Sequence, residues 1–148
     1  MIYLASDHGG FELKEQIKDW LKDNNYQYED LGAKTLDPGD DYPDFVIPLA
    51  QKISAEPDNF GIILGRSGNG EAIVANKVKG VRAALAFNEK MAQMAREHND
   101  ANVLSIGADY LSVEEVEKIV KTFLETPFSE VERHVRRLKK IEELENAN

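Results

Sequence analysis

Ser67-Gly68-Asn69-Gly70-Glu71 has the residue types and spacing for proton chemistry on an anionic intermediate. Glycines at 65, 68 and 70 let the backbone turn and expose its N–H groups without side chains in the way. Glu71 sets a carboxylate beside those donors, so a proton could be taken there and the resulting oxyanion held. The run Phe60-Gly61-Ile62-Ile63-Leu64 is apolar throughout, as in a strand buried on both faces, which predicts a strand ending at Gly65. No Gly-Lys-Ser/Thr ending follows, which excludes a P-loop, and the glycine spacing and mid-chain position exclude a dinucleotide fingerprint. Taken alone, the loop fits either a ligand site or a tight strand-to-helix connection whose Glu complements the helix N-terminus.

Three other groups could do chemistry. Asp7 and His8 follow the apolar stretch Ile2 to Ala5, which places them at the carboxyl end of a first strand, the edge where open parallel sheets bind ligands. A helix N-cap for Asp7 and an exposed turn position for His8 are the structural alternatives. His98-Asn99-Asp100 closes a helix that carries Met91, Met94 and Ala95 and is capped by Asn88. Arg133 and Arg137 lie one helical turn apart, with His134, Arg136, Lys139 and Lys140 nearby. That cluster is either a phosphate clamp or charge matched to the helix's own Glu residues.

The elements that must position these groups alternate along the chain. Tyr26 to Asp30 predicts a second strand, followed by a polar loop with a turn at Asp37-Pro38-Gly39. Asp41-Tyr42-Pro43-Asp44 opens a helix that contains Pro48. A short helix runs through Ile73 and Val74, Val81 to Phe87 forms strand four, and Val103 to Ile106 forms strand five. Ser112 with Glu115, and Ser129 with Glu132, predict capping boxes for the last two helices. This alternation implies one domain, 1–148: a three-layer α/β/α sandwich around a five-stranded parallel sheet. The final helix, 129–148, carries Val131, Val135, Leu138 and Ile141 at helical spacing with no later segment to cover them, so it is expected to pack on a partner subunit.

The chain has 148 residues, 42% hydrophobic and 30% charged, which fits one domain with a full core. A net charge of −9 argues against nucleic-acid and anionic-membrane surfaces. There is no cysteine, hence no disulfide, thiolate nucleophile or Cys-based metal site. The N-terminus runs straight into strand-like sequence with no signal peptide, so a cytoplasmic location is expected.

Asp7-His8-Gly9-Gly10, Asp41-Tyr42-Pro43, Gly65-x-Ser67-Gly-Asn-Gly-Glu71, Ala75-Asn-Lys77, His98-Asn99-Asp100 and Arg133-His134-x-x-Arg137 together resemble the type B ribose-5-phosphate isomerases. That family includes galactose-6-phosphate isomerase subunits and enzymes acting on allose 6-phosphate. The resemblance implies a Rossmann- or flavodoxin-like domain, a homodimer or homotetramer with the active site at the subunit interface, and no metal or organic cofactor. Family members abstract the proton with a Cys early in the glycine loop or a Glu just after it. Gly65 stands at the first position here and Glu71 at the second, so the chain resembles the carboxylate branch. Carried over by position, Glu71 is the base, and Ser67 with Gly68, Asn69 and Gly70 stabilises the enediolate. His98 assists ring opening, Asp7 and Asn99 hold sugar hydroxyls, and His8, Arg133 and Arg137 contact phosphate.

Two positions depart from the family pattern. Asp109 replaces the Arg expected on the phosphate after strand five, and Arg66 replaces a small loop residue. The implied reaction is ribose 5-phosphate to ribulose 5-phosphate through a cis-enediolate. Another sugar substrate (galactose or allose 6-phosphate, or an unphosphorylated sugar) and a non-catalytic sugar-phosphate-binding protein are the alternatives.

Overall fold

The computed structural model describes residues 1–148. Five strands, β1 (Ile2–Ser6), β2 (Tyr28–Asp30), β3 (Phe60–Gly65), β4 (Ala83–Leu85) and β5 (Val103–Gly107), form one sheet in the order β2-β1-β3-β5-β4. Every pairing is parallel. The helices are α1 (Phe11–Asp23), α2 (Pro43–Ala55), α3 (Asn69–Ala75), α4 (Glu89–Asn99), α5 (Val113–Glu125) and α6 (Glu132–Asn146).

Side-chain alternation along the central strands builds the two cores. Leu4, Ile62, Leu64, Leu104 and Ile106 face α1, α4 and α5 through Ile17, Ala92, Val116 and Phe123. Tyr3, Ala5, Ile63 and Val103 face α2 and α3 through Val46, Leu49, Ile53 and Ala75. Successive residues of a strand point to opposite faces, so the unbroken apolar runs of β1 and β3 need helices on both sides. The three-layer α/β sandwich is the arrangement that supplies them.

The edge strands are shorter than their sequence suggests. β2 begins at Tyr28 and β4 covers only Ala83–Leu85, against expected runs from Tyr26 and Val81 to Phe87. Each pairs on one side alone, and ahead of β4 the Arg82 N–H donates to the Asn102 side chain at 2.8 Å. The Ser112–Glu115 capping box forms, and Asn88 caps α4 by accepting from Met91 N–H. The Ser129–Glu132 box does not: α6 starts at Glu132 behind Val131 with no side-chain cap. The Ser129 hydroxyl lies instead 2.8 Å from His134 Nδ1, a competitor outside the reach of a local capping rule.

A buried ion pair fixes the long loop after β2. Lys14 on α1 is fully buried, and its ammonium donates to both Asp30 oxygens at 2.7 and 2.8 Å and to Ala33 O at 2.6 Å. Burial works against the Asp30 charge, but hydrogen bonds from Lys14, Lys18 and Gly32 N–H outweigh it and pull the carboxyl down to about 2. The chain then crosses the end of β1, where Ser6 N–H donates to Gly32 O at 2.8 Å and Ala33 N–H to Ser6 O at 2.7 Å. That crossing aims residues 34–42 back over the carboxyl ends of the strands.

Candidate active site

β1 and β3 are neighbours in the sheet, and the chain leaves them for helices on opposite faces, which opens a crevice at their carboxyl ends. The glycine loop occupies it. Gly68 adopts φ +79, a left-handed conformation that favours glycine, and its carbonyl accepts from the buried Ser105 hydroxyl at 2.7 Å. Asn69 N–H donates to Ser67 Oγ at 3.2 Å, so the loop turns directly into α3 with Glu71 in its first turn.

Glu71 is only 4% exposed. Its carboxyl lies against Gly65: a Cβ at position 65 would sit 1.7 Å from Glu71 Oε1 and 2.2 Å from Cδ. The missing side chain at Gly65 is the space the Glu71 carboxyl fills. Burial raises its pKa above the ordinary Glu value, the nearby Asp7 charge adds to the rise, and the residue's own backbone N–H opposes it. A buried, poorly stabilised carboxylate is a stronger base than an exposed one.

Asp7 is buried at 7% exposure and accepts from Gly9 N–H at 2.9 Å, capping the short turn His8–Gly10. The capping and functional readings of this residue are therefore compatible. His8 Nδ1 donates to Asp40 Oδ1 at 2.6 Å, and His8 N–H donates to the same oxygen at 3.0 Å. The Asp40 hydrogen bond raises the His8 pKa, with Asp7 helping, while desolvation and Arg66 pull it the other way. Asp40 thus favours His8 as a cation. Tyr42 closes the same crevice with its ring over Gly70, where an added Cβ would lie 2.5 Å from Cζ. Arg66 and Asp109 stand at the rim, 3.9 Å apart and both exposed.

The remaining candidates lie at the other edge. His98 and Asn99 end α4, and two arginines grip the turn that follows, one ahead of a strand start and one on α4 itself. Arg82, just before β4, donates to Asn99 O at 2.9 Å and to Asp100 O at 2.8 and 3.1 Å. Arg96, 7% exposed, donates to Asp100 Oδ1 at 2.9 Å and Ala101 O at 2.5 Å, its guanidinium 4.8 Å from the Phe60 ring centre. The start of α6 adjoins this turn, with the His98 and His134 ring centres 4.4 Å apart and Ser129 N–H bonded to Glu97 O. Burial lowers the His134 pKa, and the charges of His98, Arg133 and Arg137 lower it further, so this imidazole is held neutral.

Within one chain the structure therefore brings together Asp7, His8, Arg66, Ser67, Gly68, Asn69, Gly70, Glu71 and Asp109 where the strands end. His98, Asn99, Arg133 and Arg137 gather where the strands begin, about 16 Å away at the ~3.3 Å rise per residue of a five-residue parallel strand. Sequence reasoning missed Asp40, Arg82 and Arg96 and gave Tyr42 no contact. Asp40 sits in a turn-rich loop 32 residues from its partner, and nothing local marks it. A groove of about 830 Å³ beside the second group is lined in part by Arg82, Asn99, Ile141 and Leu144. The apolar side chains Val135, Ile141 and Leu144 of α6 are exposed on this chain.

Comparison with known proteins shows the family and the fold. The chain is 48% identical over 147 residues to ribose-5-phosphate isomerase B of Mycolicibacterium paratuberculosis, covering 99% of this chain and 92% of that protein. Ribose-5-phosphate isomerase B of Mycobacterium tuberculosis is 45% identical over 99% of this chain and 91% of its own length. The crystal structure of ribose-5-phosphate isomerase B from Mycoplasma genitalium with bound ribulose-5-phosphate superposes with TM-score 0.95 at 42% identity, covering 99% of this chain and 97% of that one. The sequence model of the ribose/galactose isomerase family matches residues 2–141, almost the whole fold just described. With its buried Glu71 packed against Gly65 of the glycine loop, this chain belongs to the ribose/galactose isomerase family.

Proposed function

We propose that this chain, acting as one domain over 1–148, interconverts ribose 5-phosphate and ribulose 5-phosphate, with Glu71 as the base. The observation that carries the proposal is the Glu71 carboxyl, buried against Gly65 under the glycine loop. The substrate rests on the relatives, which are ribose-5-phosphate isomerases B, one of them with ribulose-5-phosphate bound.

In the open-chain aldose, Glu71 takes the C2 proton, and the C–H electron pair forms the C1–C2 double bond while the carbonyl electrons move onto O1. N–H groups of residues 68–70 and the Ser67 hydroxyl stabilise that oxyanion. The O2 hydroxyl proton passes to O1, the O2 electrons form the new carbonyl, and Glu71 returns its proton to C1. One carboxyl group serves both transfers, and the scheme uses no metal or organic cofactor. Asp7 orients sugar hydroxyls, and His8, whose cationic form Asp40 favours, meets the phosphate. Ring opening needs an acid–base group at the anomeric centre, which is the role assigned to His98 with Asn99 beside it.

Because His98, Asn99, Arg133 and Arg137 sit at the opposite sheet edge, the complete site takes them from a second copy, as a homodimer or a dimer of dimers. The exposed apolar side chains of α6 and the adjoining groove support this reading. Complementation tests it. Glu71→Gln and His98→Asn should each be nearly inactive, and a one-to-one mixture after subunit exchange should recover about a quarter of wild-type activity, since half the dimers carry one intact site of two. Mixtures no more active than their parents would reject the shared site. A phosphorylated sugar cannot cross a bilayer unaided, which supports a cytoplasmic reaction.

The acid side of the pH profile offers a second check. Glu71 must be ionised to act, so kcat/KM should fall as pH drops through a pKa above the ordinary Glu value of 4.5. An acid limb at or below that value would contradict a base that burial has made stronger.

A further inference from the structure

The glycine loop carries a charged side chain, Arg66, that the proposed reaction does not use. Arg66 directly precedes Ser67, and its side chain is 70% exposed, yet its stem is well placed: Cγ lies 2.6 Å from where a Cβ on Gly9 would stand. The side chain therefore lies across the turn that presents His8. It is close enough for its charge to lower the His8 pKa, so the guanidinium and the imidazole, whose cationic form Asp40 favours, are neighbours. A neighbouring pair of that kind attracts a dianion.

The Arg66 guanidinium stands beside Asp109, on the turn after β5. Nη1 stands 3.9 Å from Asp109 Oδ2, while Asp109 N–H donates to Arg66 O at 3.0 Å. The backbone bond fixes the two residues side by side. The ion pair is long and solvent-exposed, an arrangement that contributes little stability and is readily given up. A phosphate group offers a guanidinium two short charge-assisted bonds in place of that contact.

We propose that Arg66 is a phosphate ligand of this chain, parked on Asp109 when the site is empty and turning onto the substrate phosphate beside His8 when it fills. Asp109 then has two effects. It keeps the guanidinium at the rim, and it competes with phosphate for it, so affinity is set lower than Arg66 alone would give. The substrate class so selected is a sugar carrying a terminal phosphate dianion, and the inference rests on the isomerase reading only for the identity of that sugar.

Inorganic phosphate is the probe, measured by equilibrium binding and as a competitive inhibitor of ribose 5-phosphate turnover. Arg66→Ala should weaken phosphate binding about tenfold or more and raise KM more than it lowers kcat. Arg66→Lys should recover part of the loss, as a point charge without the fork. Asp109→Asn should tighten phosphate binding in the wild-type background and have no such effect when Arg66 is replaced by Ala. Phosphate affinity unaltered in Arg66→Ala would overturn the proposal. Equal tightening by Asp109→Asn with and without Arg66 would overturn the parking role, because Asp109 would then act by plain repulsion. A wild-type protein that binds phosphate through Arg66 but leaves ribose 5-phosphate unchanged would sink the isomerase reading and leave this inference standing.

Discussion

Glu71→Gln is expected to lower kcat by about 10²–10⁴-fold, the usual contribution of a positioned base, while leaving sugar-phosphate affinity close to that of the parent. The amide keeps the shape of the side chain but cannot accept a proton at neutral pH. Stability should move the other way. A carboxyl whose folded-state pKa is raised stabilises the fold fully below its unfolded pKa, and that contribution is lost as pH rises through the raised value. At neutral pH the buried carboxylate therefore works against folding, and the Glu71→Gln variant should melt no lower than wild type. Isotope exchange from heavy water into substrate carbon gives the direct reading. A Glu71→Gln variant that exchanges at wild-type rate would remove this residue from the proton transfer.

Gly65→Ala should nearly match that loss without touching any ionisable group. Its Cβ would fall 1.7 Å from Glu71 Oε1, and with Glu71 only 4% exposed the carboxyl has no free space in which to step aside. A displacement of about 1 Å at a reacting group is worth roughly a hundredfold in rate, and overpacking adds about 1–3 kcal/mol of destabilisation. The two substitutions act on one shared volume, so their effects on kcat should not multiply in the double variant. Kinetics of both single variants and the double, with thermal unfolding of each, measure the coupling. Wild-type kcat in Gly65→Ala would mean that the carboxyl works from somewhere other than its packed position.

The central strands were legible because burial on both faces leaves an unmistakable mark, as in Ile62-Ile63-Leu64, and the loop after them because glycines and an acid cluster within seven residues. β2 and β4 were overextended, since an edge strand's apolar residues do not say where its single ladder stops. The Ser129 cap failed for a related reason: a hydroxyl chooses among competitors that only tertiary packing supplies, and His134 won. The pairs that hold the site, His8 with Asp40 and Lys14 with Asp30, span 32 and 16 residues and leave no periodic trace. The family resemblance implied a site at a subunit interface, but not that His98 and Asn99 would stand at the opposite sheet edge from Glu71. That division emerges only once the parallel sheet places the end of α4 beside the beginnings of the strands.

The clasp on Asp100 bears on how the second edge meets its counterpart. Asp100 sits at φ 43, ψ 45, a region that a non-glycine residue rarely occupies unless held, and two arginines hold it. Fixing a backbone residue costs about 1–2 kcal/mol of conformational entropy, and here folding of the single chain has already met that cost. His98 and Asn99 are thus presented preorganised. In the proposed pairing of copies, association need not order them, so affinity would depend on surface fit, and the geometry proposed for ring opening would be set before any sugar arrives.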